Sequence, residues 1–161
     1  MNASSSGTVQ IGSPSKQTPS IATPLTIDST YFTTQLPSGF HEKRRSETPS
    51  ASDTLLHLLA SGGQNGTQDV AITVGKLPAG GITEVGDYNL RRTQPEVYEM
   101  FNPGNLPTGA VAFRSKSGAP GFVVLWPGNT HYTELSFSGD GTTPQELHTT
   151  YLQVIQNWRD K

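Results

Sequence analysis

Four histidines are the residues of this chain best suited to metal or proton chemistry, and their spacing argues against both. His41, His57, His131 and His148 include no pair four apart and no adjacent carboxylate cluster, which a helical zinc site needs. His41-Glu42 runs on into Lys-Arg-Arg, not to a second histidine. Cysteine is absent, which removes disulfides, thiolate zinc sites and cysteine nucleophiles together. No Gly-x-Ser-x-Gly elbow occurs, and Gly75-Lys76 lacks a glycine-rich approach and continues into Leu77 where a phosphate loop needs Ser or Thr. Glu96 and Glu99 stand at helical spacing on a face that reads as solvated, not as an acid/base pair. The sequence predicts no catalytic residue, no metal and no cofactor.

What remains are groups suited to binding. Lys43-Arg44-Arg45 is expected in a loop after the first strand, and Arg91-Arg92 just before a mid-chain helix. Arginine forks take carboxylate or phosphate bidentately, so the two clusters brought together would form a patch for an acidic partner or an anionic envelope polymer. Glu42 and Glu47 flank the first cluster, so ordinary solvated charge is the alternative. Leu77 to Tyr88 is a glycine-rich connection, longer than a typical loop, that leads into Arg91, Arg92 and Tyr98. Tyr88 and Tyr98 either join those arginines in an interface or anchor the loop on the core. Trp126 and His131 mark a second possibility, a small-ligand pocket between the sheet and a helix. Asn65-Gly66-Thr67 matches a glycosylation sequon, but as a hairpin tip its turn chemistry explains it better.

These residues need elements to position them, and the last element is the clearest. Thr143-Pro144-Gln145-Glu146 combines a Thr N-cap, Pro at the first helical position and Glu three residues on, a capping box. Leu147, Tyr151, Val154, Ile155 and Trp158 then lie on one face of a 3.6-residue period. Ahead of it, Gly109 to Lys116, Gly121 to Trp126 and Thr130 to Phe137 read as an antiparallel meander joined by Gly- and Pro-containing turns. The middle run, Phe-Val-Val-Leu-Trp, is apolar on both faces, so it predicts an interior strand with helices covering both sides. Asp69 to Lys76 alternates Val70, Ile72 and Val74 with smaller residues, as a half-buried strand does. Leu55 to Leu59 is either its hairpin partner or a short helix capped by Ser52, and the Asn-Gly that follows favours the hairpin. Tyr31 to Leu36 reads as a strand, and Pro95 to Phe101 as a short helix opened by proline.

Residues 1 to 27 form a different kind of segment. Ser, Thr, Pro and Gly fill 15 of these positions and Lys16 is the sole charge, too little apolar surface to offset ordering entropy. Pro14, Pro19 and Pro24 recur every five residues and favour an extended spacer. The remaining residues, 28 to 161, have the size of one domain. Removing Lys16 leaves 10 of the 11 Lys and Arg against 13 Asp and Glu, a net charge of −3 for the domain, which disfavours nucleic acid as a partner. No apolar run exceeds the five residues Phe122 to Trp126, far short of a membrane span. A Ser/Thr/Pro spacer suits a tethered extracytoplasmic domain in a cell envelope, its anchor lying outside these residues; the absence of cysteine also permits a cytoplasmic one.

The order of these elements, with Leu36-Pro37-Ser38-Gly39-Phe40 closing the first strand and Tyr132-Thr133-Glu134-Leu135-Ser136-Phe137 closing the meander, resembles the PsbP-like αβα-sandwich superfamily. That superfamily includes an extrinsic photosystem subunit, Mog-type nuclear transport factors and bacterial envelope lipoproteins of the LpqN type. The resemblance spans about residues 28 to 160 and implies an α+β fold: a twisted antiparallel sheet with helices on both faces and a long amphipathic C-terminal helix. It implies a non-enzymatic domain that docks on a protein, an accessory subunit of an envelope assembly. It carries no functional residue onto this chain. A small-ligand carrier or weak enzyme is the alternative, and a monomer is the expected state.

Overall fold

The computed structural model describes residues 23–47, 53–63 and 65–161. The chain opens with a hairpin of β1 (Leu25–Asp28) and β2 (Phe32–Leu36), then enters the main sheet as β3 (His41–Glu47). A long hairpin follows, β4 (Thr54–Gly62) and β5 (Gln68–Lys76). Its register sets Leu56, Leu58 and Ala60 opposite Val74, Ile72 and Val70, so the period-two pattern of both strands supplies one continuous apolar face. Leu55 to Leu59 is therefore strand, as the Asn-Gly signal favoured. Next come a 3-10 turn (Ile82–Glu84), α1 (Gly86–Arg92) and β6 (Tyr98–Met100). The meander is β7 (Val111–Ser115), β8 (Phe122–Pro127) and β9 (His131–Gly139), followed by α2 (Pro144–Gln156) and β10 (Arg159–Asp160).

Seven strands form one antiparallel sheet in the order β3-β4-β5-β9-β8-β7-β6, and β1-β2-β10 form a second, smaller one. The core lies between them. Ile27, Phe32 and Leu36 of the small sheet and Leu147, Tyr151 and Val154 of α2 pack on Leu58, Ile72, Leu135, Phe137 and Val124 of the large sheet. The cap of α2 forms as the sequence requires: Thr143 Oγ1 accepts from the Glu146 N–H at 3.2 Å, and the Glu146 carboxylate accepts from the Thr143 N–H at 2.8 Å. Thr34 joins the small sheet to α2 by donating to the Val154 carbonyl at 2.7 Å. Trp158 lies just beyond the helix, its indole stacked on Phe32 at 4.2 Å between ring centroids. Gly75 leaves room for the Tyr132 ring packed across it from β9, and a Cβ there would displace that ring.

The expected sheet with helices on both faces does not form. Among the described residues ten strands stand against two α-helices of 7 and 13 residues. β8 is buried on both faces, as its unbroken apolar run demands, but burial requires a cover without specifying a helical one. On the core face the small sheet shares the cover with α2; on the outer face α1 and the 3-10 turn lie over part of the sheet, and none of their residues is buried.

Three local expectations also change. Pro95 to Phe101 is no helix: Tyr98–Met100 pairs with β7 and extends the sheet, and the mid-chain helix falls instead within 86–92, where a loop was expected. Lys43, Arg44 and Arg45 belong to the edge strand β3, not to a loop. Five charged side chains and a bulge between Glu42 and Arg44 protect that edge against pairing with another chain. The folded unit begins before Asp28, since Leu25–Asp28 is β1 and Ile27 is fully buried. Residues 1–22 of the expected spacer lie outside the described residues.

Candidate functional site

The basic clusters are separated. β3 edges one side of the large sheet, and α1 lies over the strands at the other end, beside β6 and β8. Four strand spacings part β3 from β8, roughly 19 Å at about 4.8 Å each, so Lys43-Arg44-Arg45 and Arg91-Arg92 make no joint patch. Arg45 is committed to the fold. Its Nε and Nη2 donate to the Glu42 carboxylate at 2.7 and 2.9 Å, and its Nη1 donates to the Asp28 carbonyl at 2.7 Å. The bidentate pairing with Glu42 raises its pKa, and the bond to the Asp28 carbonyl ties β3 to β1.

The second group comes together. Tyr88, on α1, meets the Phe113 ring edge-on at 5.5 Å, and the Arg91 guanidinium lies 5.4 Å from the centre of the Tyr98 ring. Arg91 donates to the Asp87 carbonyl at 3.2 Å, and Arg92 to Asn89 Oδ1 at 3.1 Å. Both arginines occupy the last turn of α1, where the negative end of the helix dipole favours cations. Tyr88 thus packs on the sheet through Phe113, whereas Tyr98 stays beside Arg91; Arg92 is exposed, and the half-buried Arg91 lies 3.8 Å from the Asp87 carboxylate.

Around this group stand the three exposed large hydrophobic residues of the described chain: Leu90, Val97 and Met100, at 47, 39 and 63% exposure. They fall within eleven residues of sequence and beside an open strand edge. In the ladder with β7 the Phe101 N–H bonds the Ala112 carbonyl at 3.1 Å and the Lys116 N–H bonds the Val97 carbonyl at 2.8 Å. By the alternation of antiparallel pairing, the Met100 N–H and C=O turn away from β7 to the free side.

Beneath α1 sits a group that sequence reasoning missed. Glu134 of β9 has Thr73 and Leu125 as its cross-strand neighbours and lines the closed gap under α1 with Asp87, Tyr88 and Arg91. Burial first, then a hydrogen bond and charge repulsion from Asp87, push its pKa up to about 8, against the opposing pull of Arg91. Burial and Asp87 both favour the protonated form of Glu134, which shares a hydrogen bond with Asp87. Its signal was its position: a lone charged residue between Thr133 and Leu135 in a strand otherwise suited to burial.

Trp126 and His131 line a cleft of about 360 Å³ with Tyr31, Phe32, Asp160 and Lys161. Trp126 is held edge-on by Trp158 at 5.1 Å, and Tyr31 stands edge-on to His131 at 5.0 Å. Its cation is already engaged, since Lys161 Nζ donates to the Asp28 carboxylate at 2.5 Å and to the Ser29 carbonyl at 2.6 Å. This bond and the charge of Lys161 lower the Asp28 pKa. A larger cavity, about 440 Å³, opens between β6, the β7–β8 turn and the start of α2. It went unseen because Pro95 to Phe101 reads as a helix, although Tyr98 and Met100 alternate with Glu99 and Phe101 as in a strand. Among the described residues no group of three or more His, Asp or Glu is arranged to hold a metal ion.

No family profile and no curated protein matches the chain. Among solved structures it is similar to the solution structure of cyanobacterial PsbP (CyanoP) from Synechocystis sp. PCC 6803, with a TM-score of 0.52 and 10% identity over 89% of this chain and 96% of that one. The chain has a PsbP-like fold. A structure from Bacteroides thetaiotaomicron VPI-5482 aligns with a TM-score of 0.48 and 12% identity over 88% of this chain and 49% of that one. At such identities the likeness establishes the fold alone.

Proposed function

We propose that this PsbP-like domain is a non-enzymatic accessory domain that docks on a protein partner through the edge formed by α1 and β6. The observation that carries this reading is the concentration of Leu90, Val97 and Met100 at that edge, beside Arg91, Arg92 and Tyr98. Scattered exposed apolar residues need no explanation, but a cluster rimmed by arginine and tyrosine has the composition of an interface. Its occupant is an extended partner segment with apolar and acidic side chains: the free Met100 backbone pairs with a strand, the apolar residues cover Leu90 and Met100, and carboxylates meet Arg91 and Arg92. The Ser/Thr/Pro-rich first residues support display outside the cytoplasm on a tether, at a cell envelope.

A photoreactive residue placed at Leu90 or Met100, and at Lys43 as control, tests this in cells of the source organism. The expected result is one discrete adduct from positions 90 and 100 and none from 43, with the crosslinked protein then binding the purified domain. Equal labelling at all three positions, or no reconstituted binding, overturns the reading.

A further inference from the structure

We infer that the cavity between β6, the β7–β8 turn and the first turn of α2 binds a small organic carboxylate with a flat apolar body. Strand alternation places Glu99 and Phe101 of the β6 segment, Arg114 of β7 and Phe122 of β8 on the core face of the sheet. There α2 begins too late to cover them, and a space of about 440 Å³ is left open, within the range of small-molecule sites.

The floor of the cavity is aromatic. Phe101 and Phe122 meet edge-on with centroids 5.3 Å apart, a surface suited to a ring or short hydrocarbon. The rim is cationic. The Arg114 guanidinium lies 5.0 Å from the centre of Phe101, and its Nε alone bonds Glu99, at 2.8 Å. Among the described residues both Nη groups lack a partner, and so does the Lys116 ammonium, which also lines the cavity. Arg114 and Lys116 outweigh Glu99 by one positive charge. His148 is held in place from α2, with Nε2 donating to the Pro103 carbonyl at 2.7 Å, because a carbonyl only accepts. A planar carboxylate suits the open side of a guanidinium fork, with its apolar body resting on the two rings.

The site faces the core side of β6, whereas Leu90 and Met100 lie at the outer edge, so it stands or falls independently of partner docking. The test is an amide NMR titration of the full chain with 4-phenylbutyrate and, as the uncharged counterpart, 4-phenylbutan-1-ol. The expected result is saturable shifts confined to Phe101, Arg114 to Gly121 and His148, with the alcohol at least about tenfold weaker because it lacks the charge-assisted bonds. Arg114→Gln should remove the preference for the acid, and Ala119→Trp, which fills the mouth, should abolish shifts by both compounds. No saturable shift up to millimolar ligand, equal binding of acid and alcohol, or shifts centred on Trp126 and His131 overturns the inference.

Discussion

On the core face of the large sheet Leu58, Ile72, Leu135 and Phe137 are 0 to 1% exposed beneath α2 and the small sheet; on the outer face the cover is α1, seven residues of which none is buried. Across its central strands the first face matches apolar side chains in register, Leu58 with Ile72, Ile72 with Leu135 and Leu135 with Val124. The second places a carboxylic acid, Glu134, under a short helix and leaves Leu90 and Met100 in water. The contrast separates roles within one sheet: the core face carries the stability of the domain, and the outer face keeps surface that folding does not consume.

Substitution on each face should break the contrast most visibly. Phe137→Ala removes a ring packed on Phe122 and Tyr151 and is expected to cost about 3–5 kcal/mol in denaturant unfolding. Leu90→Ala should stay within about 0.5 kcal/mol of the parent. A loss at Leu90 as large as that at Phe137 would mean that both faces hold the fold.

The pH dependence of stability sharpens the same contrast. Between its ordinary pKa of 4.5 and the raised value of about 8, Glu134 keeps a proton in the native state that the unfolded chain has released. Its contribution is complete below 4.5 and is lost as pH rises through about 8, at a slope of at most about 1.4 kcal/mol per pH unit. Glu134→Gln, which donates without ionising, should flatten this slope and exceed the parent in stability above pH 8. Parallel profiles for the two proteins would show that Glu134 is not held as an acid. On the core side, Thr143→Ala removes the α2 cap and should cost about 1 kcal/mol, measurable as a lowered Tm, with the outer-face amides unaffected.

Much of the core face was legible because its residues repeat locally. The alternation of Val70, Ile72 and Val74, the meander turns and the Thr143 capping box each contain their own signal. The outer face was not, and for a physical reason. α1 has Val85 as its N-cap with no capping side chain, so nothing in Gly86 to Arg92 announces a helix; it is held by Tyr88 on Phe113 and by the Glu134–Asp87 contact, which arise only once the sheet has formed. Pro95 misled in the opposite direction: proline fits the turn ahead of a short edge strand as well as the start of a helix. β1 was hidden in a polar stretch, and only pairing with β2 buries Ile27. Of the site residues chosen from sequence, Tyr88, Arg91, Arg92 and Tyr98 come together and Lys43 to Arg45 stand apart; Leu90, Val97 and Met100 were missed because exposure is a property of the fold.

Binding affinity decides between the two edges of the sheet. With the partner identified by crosslinking, its Kd is to be measured by calorimetry for the parent chain, for the Leu90→Glu/Met100→Glu pair and for the Lys43→Glu/Arg44→Glu pair. The docking surface at α1 and β6 requires at least about a tenfold weakening, or about 1.4 kcal/mol, in the first pair and parent affinity in the second, with unfolding midpoints unchanged in both. Loss of binding in the Lys43/Arg44 pair alone would place the interface on β3 and contradict it.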